Sequence, residues 1–292
     1  MQFTKMQALG NDFIIINGLE YKIKNYKEIA SNLCDRHWGI GGDGLVIILP
    51  PEKTNNDFRM RIFNADGSEA EMCGNGIRCF THYLRENNLS DQKKLRIETK
   101  AGIIKPQITD YKFQRSMVRV NMGRPEFAPE KIPAAVSKGT SFLMDYTVSL
   151  NQDKNLIINC VSLGNPHSVI FVDNLDSIKL EQWGPQLETK EIFPNRTNVE
   201  FVEVKNFHTA NMKVWERGSG ATLACGTGAC GAVVVGIKKG LLVSPVQINL
   251  PGGALNISWS GFISDPVFLT GPAETVFTGN YNHRGDNNGN FK

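Results

Sequence analysis

At 292 residues, 41% of them hydrophobic, the chain is long enough for about two domains of ordinary size, each with its own core. Thirty-two basic residues against 29 acidic ones leave a net charge of +3, and without a basic stripe or an aromatic-studded basic run nucleic acid is excluded as a natural partner. The apolar run at residues 13–16 is too short for a secretory signal and nothing approaches the roughly 18 apolar residues of a membrane span, so no membrane association and a cytoplasmic location are expected.

Periods of two alternate with helical stretches along the chain. In order, the first half reads as strands over residues 3–17, 45–49, 58–64, 95–99, 103–108 and 117–122, bounded by Gly, Pro, Asn and Asp, with helices over 26–37 and 76–87. The second half reads as strands near Val169 and over 199–204, 212–215, 246–250 and 255–259, with a helix from about Gly228 to Lys239. Strands far outnumber helices. The pattern therefore predicts an α/β chain of the mixed α+β kind, with curved, mostly antiparallel sheets each wrapped around a central helix, and disfavours a doubly wound parallel sheet. Gly123-Arg124-Pro125, with Pro129 and Pro133, marks a hinge, giving domains of 1–122 (joined by about 270–292) and 123–269. The tail 279–292, rich in Asn and Gly, is expected to be mobile.

The chain repeats itself. Met72-Cys73-Gly74-Asn75-Gly76-Ile77 and Ala224-Cys225-Gly226-Thr227-Gly228-Ala229 stand 152 residues apart, and at that offset Met60-Arg61-Ile62-Phe63-Asn64 falls on Met212-Lys213-Val214-Trp215-Glu216. Leu9-Gly10-Asn11-Asp12-Phe13 matches Leu163-Gly164-Asn165-Pro166-His167, each followed by an apolar run. A period this long exceeds the roughly 50 residues of solenoid repeats, so it predicts two pseudo-symmetric domains with an interdomain cleft to which each brings one cysteine.

A cysteine followed by Gly-x-Gly where a helix begins sits among backbone N–H groups that have no intrahelical partner. Those donors and the helix dipole favour an anion, either the thiolate or a ligand carboxylate. With two such turns, a carboxylate could receive N–H groups from Gly74, Asn75, Gly226 and Thr227, placing the neighbouring carbon between two sulfurs. That arrangement suits removal of a proton from one face of a carbon and delivery to the other. The copies differ at two matched positions: His167 stands opposite Phe13 and Glu216 opposite Asn64, so a His and a Glu could hold one thiol as thiolate and tune its basicity. His37, His82, His208 and His283 have no such context and read as surface or structural.

Two other readings of these turns fail on spacing. Cys73/Cys79, with five residues between, falls outside the C-x₂₋₄-C knuckle of zinc sites and Cys225/Cys230 is only marginally close at its limit, so no metal is expected. Cys34, Cys79, Cys160 and Cys230 read as small buried hydrophobes. The G-x-G-x-x-G match at 39–44 precedes a strand instead of opening a helix, and the match at 226–231 follows its strand some ten residues too late for dinucleotide binding.

Taken together, the sequence resembles the diaminopimelate epimerase family. The motifs run over nearly the whole chain: Gly10-Asn11-Asp12-Phe13, Phe63-Asn64-Ala65-Asp66-Gly67-Ser68, Met72-Cys73-Gly74-Asn75-Gly76, Gly164-Asn165-Pro166-His167, Thr197-Asn198-Val199, Trp215-Glu216-Arg217-Gly218 and Ala224-Cys225-Gly226-Thr227-Gly228. The resemblance implies a cofactor-independent isomerase that interconverts LL- and meso-2,6-diaminopimelate on the route to lysine and peptidoglycan, with Cys73 and Cys225 as the acid/base pair and His167 and Glu216 as catalytic partners. It further implies that Gly74, Asn75, Gly226 and Thr227 bind the reacting end and that Asn11, Asn64, Asn165, Asn198, Glu216 and Arg217 hold the distal end, where Arg217 can fork onto a carboxylate. Some members carry glutamine at the position of Gly44, and Gln7-Ala8 replaces the usual His-Gly. The small-molecule substrate is the expected partner, and a homodimer is compatible with it. Two alternatives stay open: a racemase for another amino acid, and a binding module that uses the cysteines as a dithiol switch.

Overall fold

The computed structural model describes residues 1–136, 140–151 and 154–282. The chain divides into two compact units: Met1–Val120 with the return segment that begins at Gly271, and Asn121–Thr270.

In the first unit the elements are β1 (Gln2–Ala8), β2 (Asn11–Asn17), α1 (Tyr26–Cys34), β3 (Gly44–Leu49), β4 (Phe58–Asn64), β5 (Glu69–Ala70), α2 (Gly74–Glu86), β6 (Ile97–Thr99), β7 (Gly102–Ile104), β8 (Gln107–Lys112) and β9 (Arg115–Asn121). β1 and β2 form an antiparallel hairpin with Ala8 opposite Asn11. Its two-residue turn, Leu9-Gly10, has φ of 59° and 83°, the positive pair that the right-handed twist of a tight hairpin demands. β2 then pairs in parallel with β3, Phe13 beside Gly44 and Ile15 beside Val46. Strands buried on both faces read as continuous apolar runs, as these do. Ile14, Ile16, Leu45 and Ile47 pack with Ile29 and Leu33 of α1. The alternate residues turn to the opposite face, where α2 lies against β1 to β4.

The second unit repeats this plan. Its elements are β10 (Tyr146–Asn151), β11 (Lys154–Ser162), β12 (Pro166–Phe171), α3 (Leu180–Glu188), β13 (Asn198–Asn206), β14 (Thr209–Glu216), β15 (Gly220–Thr222), α4 (Gly226–Lys238), β16 (Val246–Leu250), β17 (Gly253–Ser258) and β18 (Phe268–Asn280), the last running on into the first unit. β12 pairs in parallel with β13, His167 beside Asn198 and Val169 beside Glu200, at the positions that Phe13–Gly44 and Ile15–Val46 hold in the first unit. Ile158, Ile170, Val199 and Phe201 pack with Leu187 of α3. On the opposite face α4 lies against β11, β12 and β13. That helix is built mainly of Gly, Ala, Cys and Val and is buried almost throughout. Small residues let the sheet come close: a Cβ at Gly231 would stand 3.2 Å from Val161 and 3.4 Å from His167.

The mixed, mostly antiparallel class stands, with parallel pairs at β2–β3, β4–β6, β12–β13 and β14–β16. Several boundaries need correction. The strand expected over 3–17 is two strands split by the Leu9-Gly10 turn. The strand over 103–108 breaks at Lys105-Pro106 into β7 and β8, because proline withholds an N–H from the ladder. The helix expected to reach His37 stops at Cys34, where the Asp35 carboxylate accepts from the backbone N–H of His37 and Trp38, both at 2.7 Å, and turns the chain out. The helices expected from Gly76 and Gly228 begin two residues earlier, directly after the cysteines. α3, β10, β11 and β18 were not anticipated; α3 hid because Gly184 and Pro185 interrupt its pattern. Gly279 and Asn280 are strand residues paired with Phe3 and Gln2, not tail. The rest of the expected mobile tail beyond Asn282, with His283, lies outside the described residues.

Candidate active site

Each cysteine of the repeat is the N-cap of its helix. Cys73 is extended (φ −138°, ψ 123°) and its sulfur accepts from the Gly76 N–H at 3.5 Å. Cys225 is extended in the same way (φ −118°, ψ 113°) and accepts from the Gly228 N–H at 3.4 Å. Sulfur thus takes the place that a Ser or Asp oxygen commonly fills, at the positive end of a 13-residue helix in both units. Both capped positions are tight: a Cβ at Gly76 would stand 2.8 Å from the Ile62 methyl, and one at Gly228 would stand 2.6 Å from Glu200 Oε1.

Around Cys73 the polar groups converge on Asn11. Its Oδ1 accepts from Asn75 Nδ2 at 3.0 Å and lies 3.9 Å from the Cys73 sulfur, while its Nδ2 donates to Asp43 at 2.8 Å. Asp43 in turn receives Arg36, which also forks onto Asp12. Burial alone would raise the Asp12 carboxyl, but the Arg36 and Lys5 hydrogen bonds hold it well below the usual carboxylate range. Asn75 accepts from the fully buried Arg78, which also donates to Gly74 O and Pro272 O. At the end of β4, Asn64 is exposed and donates to Ser68 Oγ at 2.9 Å.

Around Cys225 the corresponding groups are ionisable. Asn165, the match of Asn11, donates to Thr227 Oγ1 at 3.2 Å, and Thr227 Oγ1 lies 3.5 Å from the Cys225 sulfur. The Asn165 Oδ1 lies 2.9 Å from His167 Nε2, and His167 Nδ1 lies 2.7 Å from Glu200 Oε1. His167 and Glu200 both have 0% exposure. Burial pushes the Glu200 carboxyl above its ordinary range despite the pull of His167. Burial also pushes the Cys225 thiol well above its ordinary value, reinforced by the charges of Glu216 and Glu200, with Thr227 and Gly228 opposing. At this sulfur burial comes first and the two carboxylates second, and together they outweigh its hydrogen-bond donors in favour of the neutral thiol.

The residues expected to hold a distal end are placed by β13 and β14. Asn198 is buried, donates to Pro166 O at 2.8 Å and accepts from the Arg217 backbone N–H at 3.0 Å. Glu216 accepts from Thr222 Oγ1 at 2.5 Å. The Arg217 side chain is exposed and reaches Asn195 O at 3.3 Å. Glu188 at the end of α3, not anticipated from sequence, receives Trp215 Nε1 at 2.7 Å and the Gly218 N–H at 2.9 Å, and so pins both sides of Glu216-Arg217.

Arg78 and Glu200 also escaped the sequence reading. Glu200 left a signal: a lone acid between Val199 and Phe201 in a run otherwise fit for the core, where the matched strand has Val46. Of the histidines without context, His37 and His208 are exposed, whereas His82 is fully buried, with Nδ1 2.8 Å from Ser116 Oγ and its basicity lowered by burial. Cys34, Cys79, Cys160 and Cys230 are buried. Among the described residues there is no group of three or more His, Cys, Asp or Glu that could hold a metal, and no helix is long and apolar enough to cross a membrane.

The family model described as Diaminopimelate epimerase matches residues 3–128 and 159–276. A curated diaminopimelate epimerase of Halothermothrix orenii is 54% identical over 279 residues, covering 96% of this chain and 97% of the relative. One from Carboxydothermus hydrogenoformans is 48% identical over 284 residues, covering 96% and 99%. Among solved structures, a probable proline racemase from Agrobacterium radiobacter K84 superposes with a TM-score of 0.69 at 14% identity, covering 99% of this chain and 95% of that one, which speaks for the fold alone.

Proposed function

Because the chain belongs to the diaminopimelate epimerase family, we propose that it interconverts LL- and meso-2,6-diaminopimelate in lysine biosynthesis, with Cys73 and Cys225 as an acid/base pair on the α-carbon. The observation that carries this reading is the doubled cap: two cysteines, each followed by Gly-x-Gly, each accepting from the backbone N–H three residues on. One sulfur removes the α-proton and the other delivers a proton to the opposite face, so neither base has to turn around. The α-carboxylate would be held by N–H groups of the two first turns, from Gly74, Asn75, Gly226 and Thr227, where helix dipoles stabilise the charge that builds up as the carbon becomes planar.

The distal amino-acid end is assigned to Asn11, Asn64, Asn165, Asn198, Glu216 and Arg217. Arg217 supplies the fork for a carboxylate, and the amide oxygens with Glu216 supply acceptors for an ammonium. A cytoplasmic location fits a chemistry that needs both thiols reduced. The test is incubation of the purified, reduced protein with LL-diaminopimelate, without added pyridoxal phosphate or metal, followed by chiral chromatography. Appearance of the meso isomer supports the reading; an unchanged LL pool contradicts it.

A further inference from the structure

Four hydrogen-bonded links within the second unit connect a buried acid to the Cys225 sulfur. Glu200 Oε1 lies 2.7 Å from His167 Nδ1, and His167 Nε2 lies 2.9 Å from Asn165 Oδ1. Asn165 Nδ2 donates to Thr227 Oγ1 at 3.2 Å, and Thr227 Oγ1 lies 3.5 Å from the sulfur. The direction of the chain follows from the amide. With Asn165 Nδ2 committed as donor to Thr227, its Oδ1 must accept, so His167 carries a proton on Nε2. Thr227 Oγ1, having accepted, is left with its own hydrogen to give to sulfur.

That direction places a demand on Nδ1. Once Nε2 is protonated, the 2.7 Å contact needs a proton between Nδ1 and Glu200, held either as a carboxyl donating to the ring or as a carboxylate receiving from an imidazolium. In both forms the pair is neutral overall. Glu200 Oε2 agrees, because it is buried with no hydrogen-bond partner among the described residues, which a group sharing a proton tolerates better than a bare carboxylate would. Glu200 also packs closely against the helix, its Oε1 only 2.6 Å from where a Cβ at Gly228 would be.

The first unit has the opposite arrangement. Phe13 and Val46 stand where His167 and Glu200 stand, and Asn11 gives its Nδ2 to Asp43 and presents its Oδ1 towards Asn75 and the Cys73 sulfur. One sulfur of the pair therefore faces an amide acceptor and the other faces a chain of donors.

We propose that Glu200 is a positioning residue that fixes His167 as the Nε2-protonated ring and thereby turns the Asn165–Thr227 chain so that it presents only donors to Cys225. This rests on the reading that Cys225 is one of the two acid/base groups. Charge that grows on the sulfur as it gives up a proton meets a hydroxyl already oriented towards it, and no rearrangement is needed during turnover.

The experiment combines ¹⁵N NMR of the imidazole nitrogens of His167 in the full-length protein with kinetics of Glu200→Gln and Glu200→Val, the latter carrying the residue of the matched position. In the wild type, Nε2 is expected to be protonated throughout the neutral range. Glu200→Gln, whose amide N–H can donate to Nδ1, should keep that tautomer and hold kcat within about tenfold. Glu200→Val should lose the tautomer and lower kcat by about 100-fold, with KM changed less than about threefold. An unprotonated Nε2 in the wild type would reverse every link and overturn the proposal, whatever the fate of the valine variant. A valine variant with unchanged kcat, or a glutamine variant that keeps the tautomer yet falls as far as valine, would also overturn it. The tautomer is read without turnover, so failure of the two-thiol reading, seen as an active Cys225→Ala, is distinguishable from failure here.

Discussion

The first turns of α2 and α4 share a backbone and differ in what stands behind them. In both, a cysteine sulfur accepts from the N–H three residues on, and an asparagine from the preceding hairpin or loop reaches the second residue of the helix. Behind α2 the sheet offers Phe13 and Val46; behind α4 it offers His167 and Glu200, both without exposure. Duplication supplied two equivalent caps, and substitution at two matched strand positions made one of them electrostatically distinct. What this teaches is that the repeated part of the molecule builds the two sulfur caps, and that under the proposed function the unrepeated part is what distinguishes one sulfur from the other.

The largest effect should come from removing either sulfur. Cys73→Ala and Cys225→Ala are each expected to lower kcat by about 10⁴-fold or more with the circular dichroism unchanged, since transfer needs one donor and one acceptor. An active variant of either kind would break the equivalence of the caps. Next, Arg217→Lys keeps the charge but loses the planar fork, and a fall in kcat/KM of about 30-fold, carried mainly by KM, is expected for diaminopimelate. Unchanged kinetics would remove Arg217 from the proposed site.

A pair of glycine variants sharpens the comparison. In Gly228→Ala the new methyl meets Glu200 Oε1 at 2.6 Å, an atom held by His167, and a loss of about 2 kcal/mol in stability is expected. In Gly76→Ala the methyl meets the terminal methyl of Ile62 at 2.8 Å, which can turn aside, and better helix propensity offsets the contact to within about 1 kcal/mol. Urea denaturation of both variants decides this, and equal losses would erase the distinction.

The last effect is absent at neutral pH and concerns alkaline stability. Burial pushes the thiols of Cys34, Cys79 and Cys160 from 9.0 up to about 12. Folding favours the neutral thiol, so this stabilisation is complete below the unfolded value and is lost as pH rises from about 9 towards 12, at about 1.4 kcal/mol per cysteine per pH unit. Cys160→Ala should flatten the decline of the urea midpoint by one such increment. An identical slope would show that Cys160 ionises as readily folded as unfolded.

Much of this was legible in the sequence because it is local or repeated. The Cys-Gly-x-Gly turns, their strands and the asparagines declared themselves through the duplication, and the apolar alternation gave the strands that carry them. Arg78 and Glu200 were not legible in the same way. A charge in a core run acquires meaning only when the parallel register sets Glu200 beside Val169, two residues past His167, and the helix brings Gly228 against it. Glu188 is hidden similarly, since its hydrogen bonds to Trp215 and Gly218 span a connection that no periodicity reveals. The burial that raises the Cys225 thiol was not legible either, because a helix dipole and an imidazole are visible in a sequence while burial is not.

The central claim is that each sulfur serves its own face of the α-carbon. Turnover in deuterated water, with early-time mass spectra of the separated stereoisomers, tests it most directly. If the delivering thiol has exchanged with solvent before substrate arrives, newly formed product carries deuterium at the inverted carbon from the first turnovers while unreacted substrate stays largely protiated. Substantial retention of the original hydrogen in the product would mean that one base returns the proton it took, and would contradict the two-thiol account.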